Sequence, residues 1–299
     1  MIGKADMQFG VAFHGADSSD EFARLVRRAS ELGFDVFAAP DHLGMAGPFT
    51  ALAAAAAIDS VLRLRTYVLN VGFWNQALLA REVATLDLLS GGRAELGIGA
   101  GYVKSEHDDA RLPFLPFAER TEALESAVTE VRRRLADPDH QPRPVQQPVP
   151  LMVAAMSAQG LAIAARHAEV IGFAGLRQVR GERLGTLTLV SAAETAERVG
   201  QVREQAAGRQ YRSDVLLQHV VVGQSPAESA GEMAAYVPGL TVEQVLDSPF
   251  VLYAESAAGA AEELRRRHER YGFDSITTHQ PSMEALGKVI AACRSGAGG

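Results

Sequence analysis

Short apolar strands alternate with helices about eight times along the 299-residue chain, a rhythm that predicts an α/β fold, a (β/α)8 TIM barrel. Two further observations favour a barrel over an open doubly wound sheet. The strands are apolar on both faces, as expected when helices cover one side and a filled interior the other. Residues able to do chemistry follow nearly every strand, whereas an open sheet collects its ligand at one switch point. The expected organisation is a single domain, residues 1–299, with a helical insertion.

Met7–Phe13 reads as the first strand. Ser18 and Glu21 then have the spacing of a capping box, before a helix whose Phe22, Leu25, Val26, Ala29 and Leu32 recur at helical intervals. Gly33 closes it, and Phe34–Ala39 is the second strand, ending at Pro40-Asp41-His42. Pro48–Leu62 reads as an alanine-rich helix and Arg65–Gly72 as the third strand, running into Phe73-Trp74-Asn75. The next helix, Gln76–Leu89, is expected to bury Leu79, Val83, Leu86 and Leu89, and Gly91-Gly92 stops it. Ala94–Gly99 is the fourth strand. Gly97, Gly99 and Gly101 leave its C-terminal end bare, so that another group can approach the backbone closely. The dinucleotide pattern G-x-G-x-x-G is not met, because Tyr102 stands near the place of the third glycine.

Tyr102–Leu115 reads as polar and irregular, and Phe117–Leu135 as a helix with Leu124, Val128, Val131 and Leu135 on one face. Five prolines make Asp137–Pro150 an extended surface crossing. The alternation resumes with strands at Leu151–Ala155 and Val170–Ala174 around a helix at Gly160–His167. A helix at Ala192–Ala206 and a strand at Val215–Val222 follow. Ser225–Tyr236 and Val242–Leu246 form the helical insertion. Ala257–Tyr271 is a helix, Ser275–Thr278 the last strand and Met283–Cys293 the last helix.

The formal net charge of −7 argues against nucleic acid or an anionic membrane as the main partner. The lone Cys293 excludes an internal disulfide framework and suits the cytosol. With no apolar run of signal-peptide or membrane-spanning length, a cytoplasmic protein is the expectation.

Candidates for chemistry follow the strands: His14; Asp41 and His42; Asn70, Phe73 and Trp74; Gly99 to Tyr102; Ala154 to Ser157; Gly175 to Arg183; His219; and His279. The Asp41-His42 pair is the sharpest, since a histidine beside a carboxylate can pass a proton near neutrality. Its structural alternative is that Asp41 caps the next turn while His42 merely lines a pocket. Phe73, Trp74 and Tyr102 are placed to wall a planar ring. Arg177, Arg180 and Arg183 form a basic stretch suited to a phosphate or carboxylate tail. No local spacing gathers His14, His219, His279 and Asp41 into a metal site, so none is expected. There is no G-x-S-x-G nucleophile elbow.

Asp41-His42-Leu43, Val68-Leu69-Asn70, the block from Leu79 to Arg93, and Glu95 to Tyr102 followed by Glu106 resemble the luciferase-like monooxygenase superfamily, most of all its F420-dependent branch. Val245-Leu246-Asp247-Ser248-Pro249 and Glu262–Gly272 are similar to that branch too. The resemblance implies a bacterial-luciferase-like barrel, a homodimer, and the deazaflavin coenzyme F420 or, alternatively, FMN at the mouth. With F420 it implies hydride exchange with a small organic substrate, an alcohol or an activated C=C or C=N bond. With FMN it implies a two-component monooxygenase served by a flavin reductase. A barrel that has lost its cofactor is the alternative of another class. The resemblance places His42 near the ring's reactive edge; His42, Asp41 and Tyr102 are the catalytic candidates, with the family acid's role not carried over to Tyr102. Val68, Asn70, Gly99, Ala100, Gly101, Ala155, Met156, Ser157 and Arg177 are the cofactor-binding ones. A non-proline cis peptide is implied within Tyr67–Val71. Three departures from the family pattern stand out: Tyr102 where an acidic residue is frequent, Ala154 to Ala158 where glycines are common, and Tyr253-Ala254-Glu255 where a glycine-containing turn is common.

Overall fold

The computed structural model describes residues 7–179, 187–237 and 239–295. The chain begins β1 (Gln8–Ala12), α1 (Ser19–Glu31), β2 (Val36–Ala39), α2 (Pro48–Ile58), β3 (Arg63–Thr66), β4 (Leu69–Asn70), α3 (Gln76–Ser90) and β5 (Ala94–Gly99). It continues through α4 (Lys104–Asp109), α5 (Phe117–Ala136), β6 (Leu151–Ala155), α6 (Ala158–His167), β7 (Val170–Phe173), β8 (Leu176–Gln178) and β9 (Leu187–Leu189). After α7 (Ala192–Gln205) come β10 (Arg212–Leu217), β11 (His219–Val222), α8 (Pro226–Tyr236), α9 (Val242–Asp247), β12 (Val251–Ala254), α10 (Ala257–Tyr271), β13 (Phe273–His279) and α11 (Met283–Ser295).

Every pairing around the barrel is parallel, in the order β3-β2-β1-β13-β10-β7-β6-β5-β4, and β3 also pairs with β5 to close the ring. Taking β3 and β4 as one interrupted stave gives the eight-stave barrel the sequence predicts. Between the two halves of that stave lies a cis peptide bond, Tyr67–Val68, within the expected stretch. Two small sheets lie outside the ring: the antiparallel hairpin β8–β9 and the parallel pair β11–β12. Together with α8 and α9 they bury a second apolar cluster containing Leu189, Ala230, Leu240, Val245, Val251 and Tyr253.

The lower barrel interior is polar and fully paired. The guanidinium of Arg65, with no exposure, donates to Glu95 Oε2 (2.6 Å), Asp214 Oδ2 (3.1 Å) and Gln8 Oε1 (3.0 Å). Asp214 also accepts from the hydroxyls of Tyr67 (2.6 Å), Ser275 (2.6 Å) and Thr277 (2.9 Å). A buried charge is tolerated only when its partners are complete, and five strands, β1, β3, β5, β10 and β13, contribute to this set. The network therefore ties the staves below the mouth to one another.

Local chemistry accounts for most boundaries. Ser18 Oγ accepts from Glu21 N, but the Glu21 carboxylate returns to Asp17 N, so the capping box closes one residue early. Gly91, at φ 69°, ends α3 in the left-handed conformation. The proline-rich crossing is pinned where the buried carboxylate of Asp87 accepts from Gln146 N (2.8 Å) and Gln146 Nε2 (2.6 Å).

Several expectations need correction. Leu89 is 67% exposed, because α3 turns that position away from the barrel. The stretch after Tyr102 contains a helix, α4. The strand predicted at Val215–Val222 is two strands, and only the first belongs to the barrel. The strands β8, β9 and β12 were not anticipated. Among the described residues, no helix is long and apolar enough to cross a membrane.

Candidate active site

A cavity of about 670 Å³ opens at the C-terminal ends of the strands, where barrels of this class carry their sites. Asp41 and His42 line it after β2, Val68 and Asn70 around the stave interruption, and Gly99 to Tyr102 at the end of β5. Ala155, Met156 and Ser157 line it after β6, and Arg177 from β8. His14 and His279 complete the rim, whereas Phe73, Trp74 and His219 are not among the lining residues.

His42 pairs with a carboxylate other than its sequence neighbour's. Its Nδ1 lies 2.8 Å from Glu106 Oε1, on α4, and its ring meets that of Tyr102 edge-on at 6.1 Å. With Glu106 ionised, Nδ1 carries the proton and donates, which leaves Nε2 as the nitrogen that takes up or gives a proton. Asp41 has a different task. Its Oδ2 accepts from the Trp74 indole N–H (2.8 Å) and from Asn70 N (3.1 Å), and burial pushes its carboxyl upward. Trp74 is therefore a brace beneath the rim and no wall of it, and its ring packs on Phe49. Phe73 packs on His107.

The glycines of β5 are needed by the protein itself. A Cβ on Gly97 would collide with the Thr66 carbonyl, one on Gly99 would lie 3.0 Å from Val68 Cγ2, and one on Gly101 would strike the Asn70 side chain. The bare strand end is thus already filled by the neighbouring stave. Asn70 is fixed in turn: its Oδ1 accepts from Gly72 N (3.0 Å), and its amide donates to His107 Nε2 (2.9 Å). The other nitrogen of His107 donates to Pro113 O (3.0 Å), which sets the tautomer. The space for a ligand lies above this ladder.

After the adjoining stave, β6, the helix α6 starts at the cavity. Ser157 is its N-cap, with Oγ accepting from Gly160 N (3.1 Å), and both residues line the cavity. A helix start of this kind attracts an anion without needing glycines. Arg177 reaches the cavity with its Nε 2.9 Å from Glu194 Oε1. Arg180 and Arg183 lie outside the described residues. Sequence reasoning missed Arg120 of α5, which lines the cavity with its guanidinium 4.0 Å above the Phe114 ring and Nη1 donating to Leu115 O. It also gave Glu106 no role. Reading Lys104–Asp109 as a helix over the rim was the missing signal.

His14 Nε2 and His279 Nδ1 are 2.8 Å apart across the mouth. Burial lowers both, and His279, beside the other imidazole, is pushed down to about 4. His219 instead meets the hydroxyl of Tyr253 (3.1 Å) in the insertion. Tyr253 belongs to that insertion's core, so its departure from the family pattern does not touch the cavity. Among the described residues, no three His, Cys, Asp or Glu side chains are grouped to hold a metal ion.

The fold has close structural counterparts. An F420-dependent secondary alcohol dehydrogenase, solved with an F420–acetone adduct, superposes with a TM-score of 0.76 over 97% of this chain and 99% of its own, at 16% identity. The F420-dependent tetrahydromethanopterin reductase of Methanopyrus kandleri gives 0.72 over 96% and 99%, at 18% identity. The monooxygenase RslO1 of Streptomyces bottropensis gives 0.73 over 97% and 98%, at 19% identity. In sequence, the chain is 33% identical to the 5,10-methylenetetrahydromethanopterin reductase of M. kandleri over 110 residues, covering 37% of this chain and 31% of that enzyme. An uncharacterized protein of Mycobacterium tuberculosis is 28% identical over 186 residues, 50% of this chain and 65% of its own. The match to the M. kandleri reductase thus spans about a third of that relative's length. The family model for luciferase-like monooxygenases matches residues 7–291, almost the whole barrel, and the chain belongs to that family.

Proposed function

We propose that this protein is an F420-dependent oxidoreductase, exchanging a hydride between the deazaflavin and a small organic substrate with an alcohol or an activated C=C or C=N bond. The observation that carries the reading is His42, oriented by Glu106 on the rim of a cavity backed by the Val68–Gly99 contact. The sequence likeness to methylenetetrahydromethanopterin reductases supports it. The residues present fit the coenzyme: the volume is that of a cofactor pocket, and the start of α6 offers an anion seat beside the glycine ladder.

When bound, the coenzyme supplies the hydride acceptor or donor. The chain does the rest. Val68 and Asn70 with Gly99 to Gly101 set the back wall, which Asp41 holds by fixing Asn70 N and the Trp74 indole. Ala155, Met156 and Ser157 would hold its phosphate, and Arg177 would meet its acidic tail. His42 moves the proton at Nε2 that alcohol oxidation releases or C=C reduction consumes, and Glu106 keeps Nδ1 protonated throughout.

A second reading, an FMN-dependent monooxygenase served by a reductase, is favoured by the fold's equal likeness to a monooxygenase. Fluorescence and absorbance titration with F420 and with FMN separates them. The proposal expects F420 binding at micromolar levels or tighter. Tight FMN binding without F420 binding overturns it in favour of the second, and binding of neither points to a barrel without a cofactor.

A further inference from the structure

We propose that His14 and His279 act together as a neutral donor–acceptor element that binds an uncharged oxygen function of the substrate, a hydroxyl or a carbonyl. This rests on the oxidoreductase reading above for what a substrate is, but its geometry belongs to the chain alone.

His14 follows β1 and His279 ends β13, strands that run in register with Ala12 beside His279. The turn after β13 latches the two together: Gln280 Oε1 accepts from His14 N (2.8 Å) and Gly15 N (3.3 Å), and Gln280 Nε2 donates to Gly15 O (3.1 Å). The rings cross at 64° with centroids 4.8 Å apart, and both line the cavity. A hydrogen bond of 2.8 Å between two imidazole nitrogens needs one N–H and one lone pair. In the neutral pair the two outer nitrogens, His14 Nδ1 and His279 Nε2, are then one donor and one acceptor, whichever ring donates inward.

That arrangement complements a hydroxyl, which both donates and accepts, and offers a carbonyl its one N–H. It gives an ammonium no anion and a carboxylate no cation. Among the described residues no carboxylate pairs with either ring, and burial, with the His14 imidazole alongside, disfavours a proton on His279. The lowered pKa of both rings agrees with a neutral pair. The rim thus divides labour: the Glu106-paired His42 moves the proton, and the uncharged dyad grips the oxygen.

The test uses histidine-labelled, cofactor-free full-length chain, followed by nuclear magnetic resonance. Four probes share one ring and differ in the polar group: cyclohexanol, cyclohexanone, cyclohexylammonium and cyclohexanecarboxylate. The expected result is that the alcohol and ketone perturb the His14 and His279 ring signals saturably while the two ions do not. The variants His279→Phe and His279→Gln should weaken alcohol binding about five-fold or more, the loss of a hydrogen bond. The wild-type His279 ring should stay neutral between about pH 5.5 and 8, and the His14 ring should titrate below its ordinary value. Equal response to the ions, no response to any probe, or either ring titrating near its ordinary value overturns the proposal. Because no coenzyme is present, failure here leaves the cofactor titration untouched, and the converse also holds.

Discussion

Two histidine pairs stand on the same rim, and they behave in opposite ways. His42, after β2, meets the carboxylate of Glu106 on α4 at 2.8 Å. His14 and His279, after β1 and β13, meet each other at the same distance. The residue type and the hydrogen-bond length are shared, so the partner decides. A carboxylate welcomes a protonated imidazole, whereas a second imidazole in a buried setting disfavours it. One fold therefore holds a carboxylate-paired histidine, the proposed proton carrier, and an imidazole–imidazole pair, the proposed binding element, on adjoining staves.

The largest effect should come from removing the carrier. His42→Ala is expected to lower turnover about 10²–10⁴-fold, the usual worth of a positioned acid–base group, with F420 affinity changed little. Glu106→Gln should lower it less, because an amide still holds Nδ1 but no longer favours the protonated ring. Steady-state kinetics beside a binding titration decides the matter. A fall in affinity that matches the fall in turnover would make His42 a packing residue and erase the contrast between the two pairs.

The dyad should show itself in stability against pH. Folding lowers His279 from its ordinary 6.5 to about 4, so as pH falls the unfolded chain takes up this proton first. Stability present above about pH 6.5 is then lost on acidification toward pH 4, by an amount on the order of 2–3 kcal/mol. Half-buried Asp41, whose carboxyl is raised, works in the opposite direction, so the signal is the difference between wild type and His279→Phe. Denaturant melts at pH 7 and pH 4.5 should show a smaller acid loss in the variant. An equal loss in both would mean that the pair is not held neutral.

The two pairs also rest on different foundations. The dyad is latched by a glutamine side chain, whereas His42 stands beside the ladder of Val68, Asn70 and the β5 glycines. Gly101→Ala places a Cβ against Asn70 at a residue with φ 70° and should cost about 2 kcal/mol. It should also displace Asn70 from His107 without altering the dyad's ring signals. A change at His14 and His279 equal to that at His107 would show that the two walls are not separable.

Much of this was legible in the sequence, and the misses have a common cause. Ala257–Tyr271 and Ala94–Gly99 coincide with α10 and β5, because Ser256 caps the start of the helix and the Gly91 stop of α3 marks where the apolar strand begins. Each cofactor-binding and catalytic candidate named from the sequence lines the cavity, since strand ends converge in a barrel whatever the side chains do. What failed was pairing. Asp41 and His42 are adjacent in the chain but take separate partners, the one beneath the rim and the other above it. The true carboxylate lies on a six-residue helix, α4, in a stretch that carries no strong helix signal. The small strands β8, β9 and β12 are short and pair only with insertion segments, so periodicity had too few residues to register them.

The smallest effect should come from Tyr102, where the family often has an acid. Its ring lies edge-on to His42 and is 40% exposed, and no hydrogen bond to its hydroxyl exists among the described residues. Burial and the nearby Glu106 raise its pKa, so the phenol stays protonated at neutral pH. A phenol of this kind neither accepts a proton readily nor is held in line to give one, and the proposed mechanism assigns that task to the neighbouring His42–Glu106 pair. Tyr102→Phe should therefore keep turnover within about two-fold and leave the pH–rate profile in place. Tyr102→Ala, which removes the ring beside His42, should cost more. If Phe proves as damaging as Ala, the hydroxyl has taken over a proton from the missing acid, and the rim holds a second carrier beside His42.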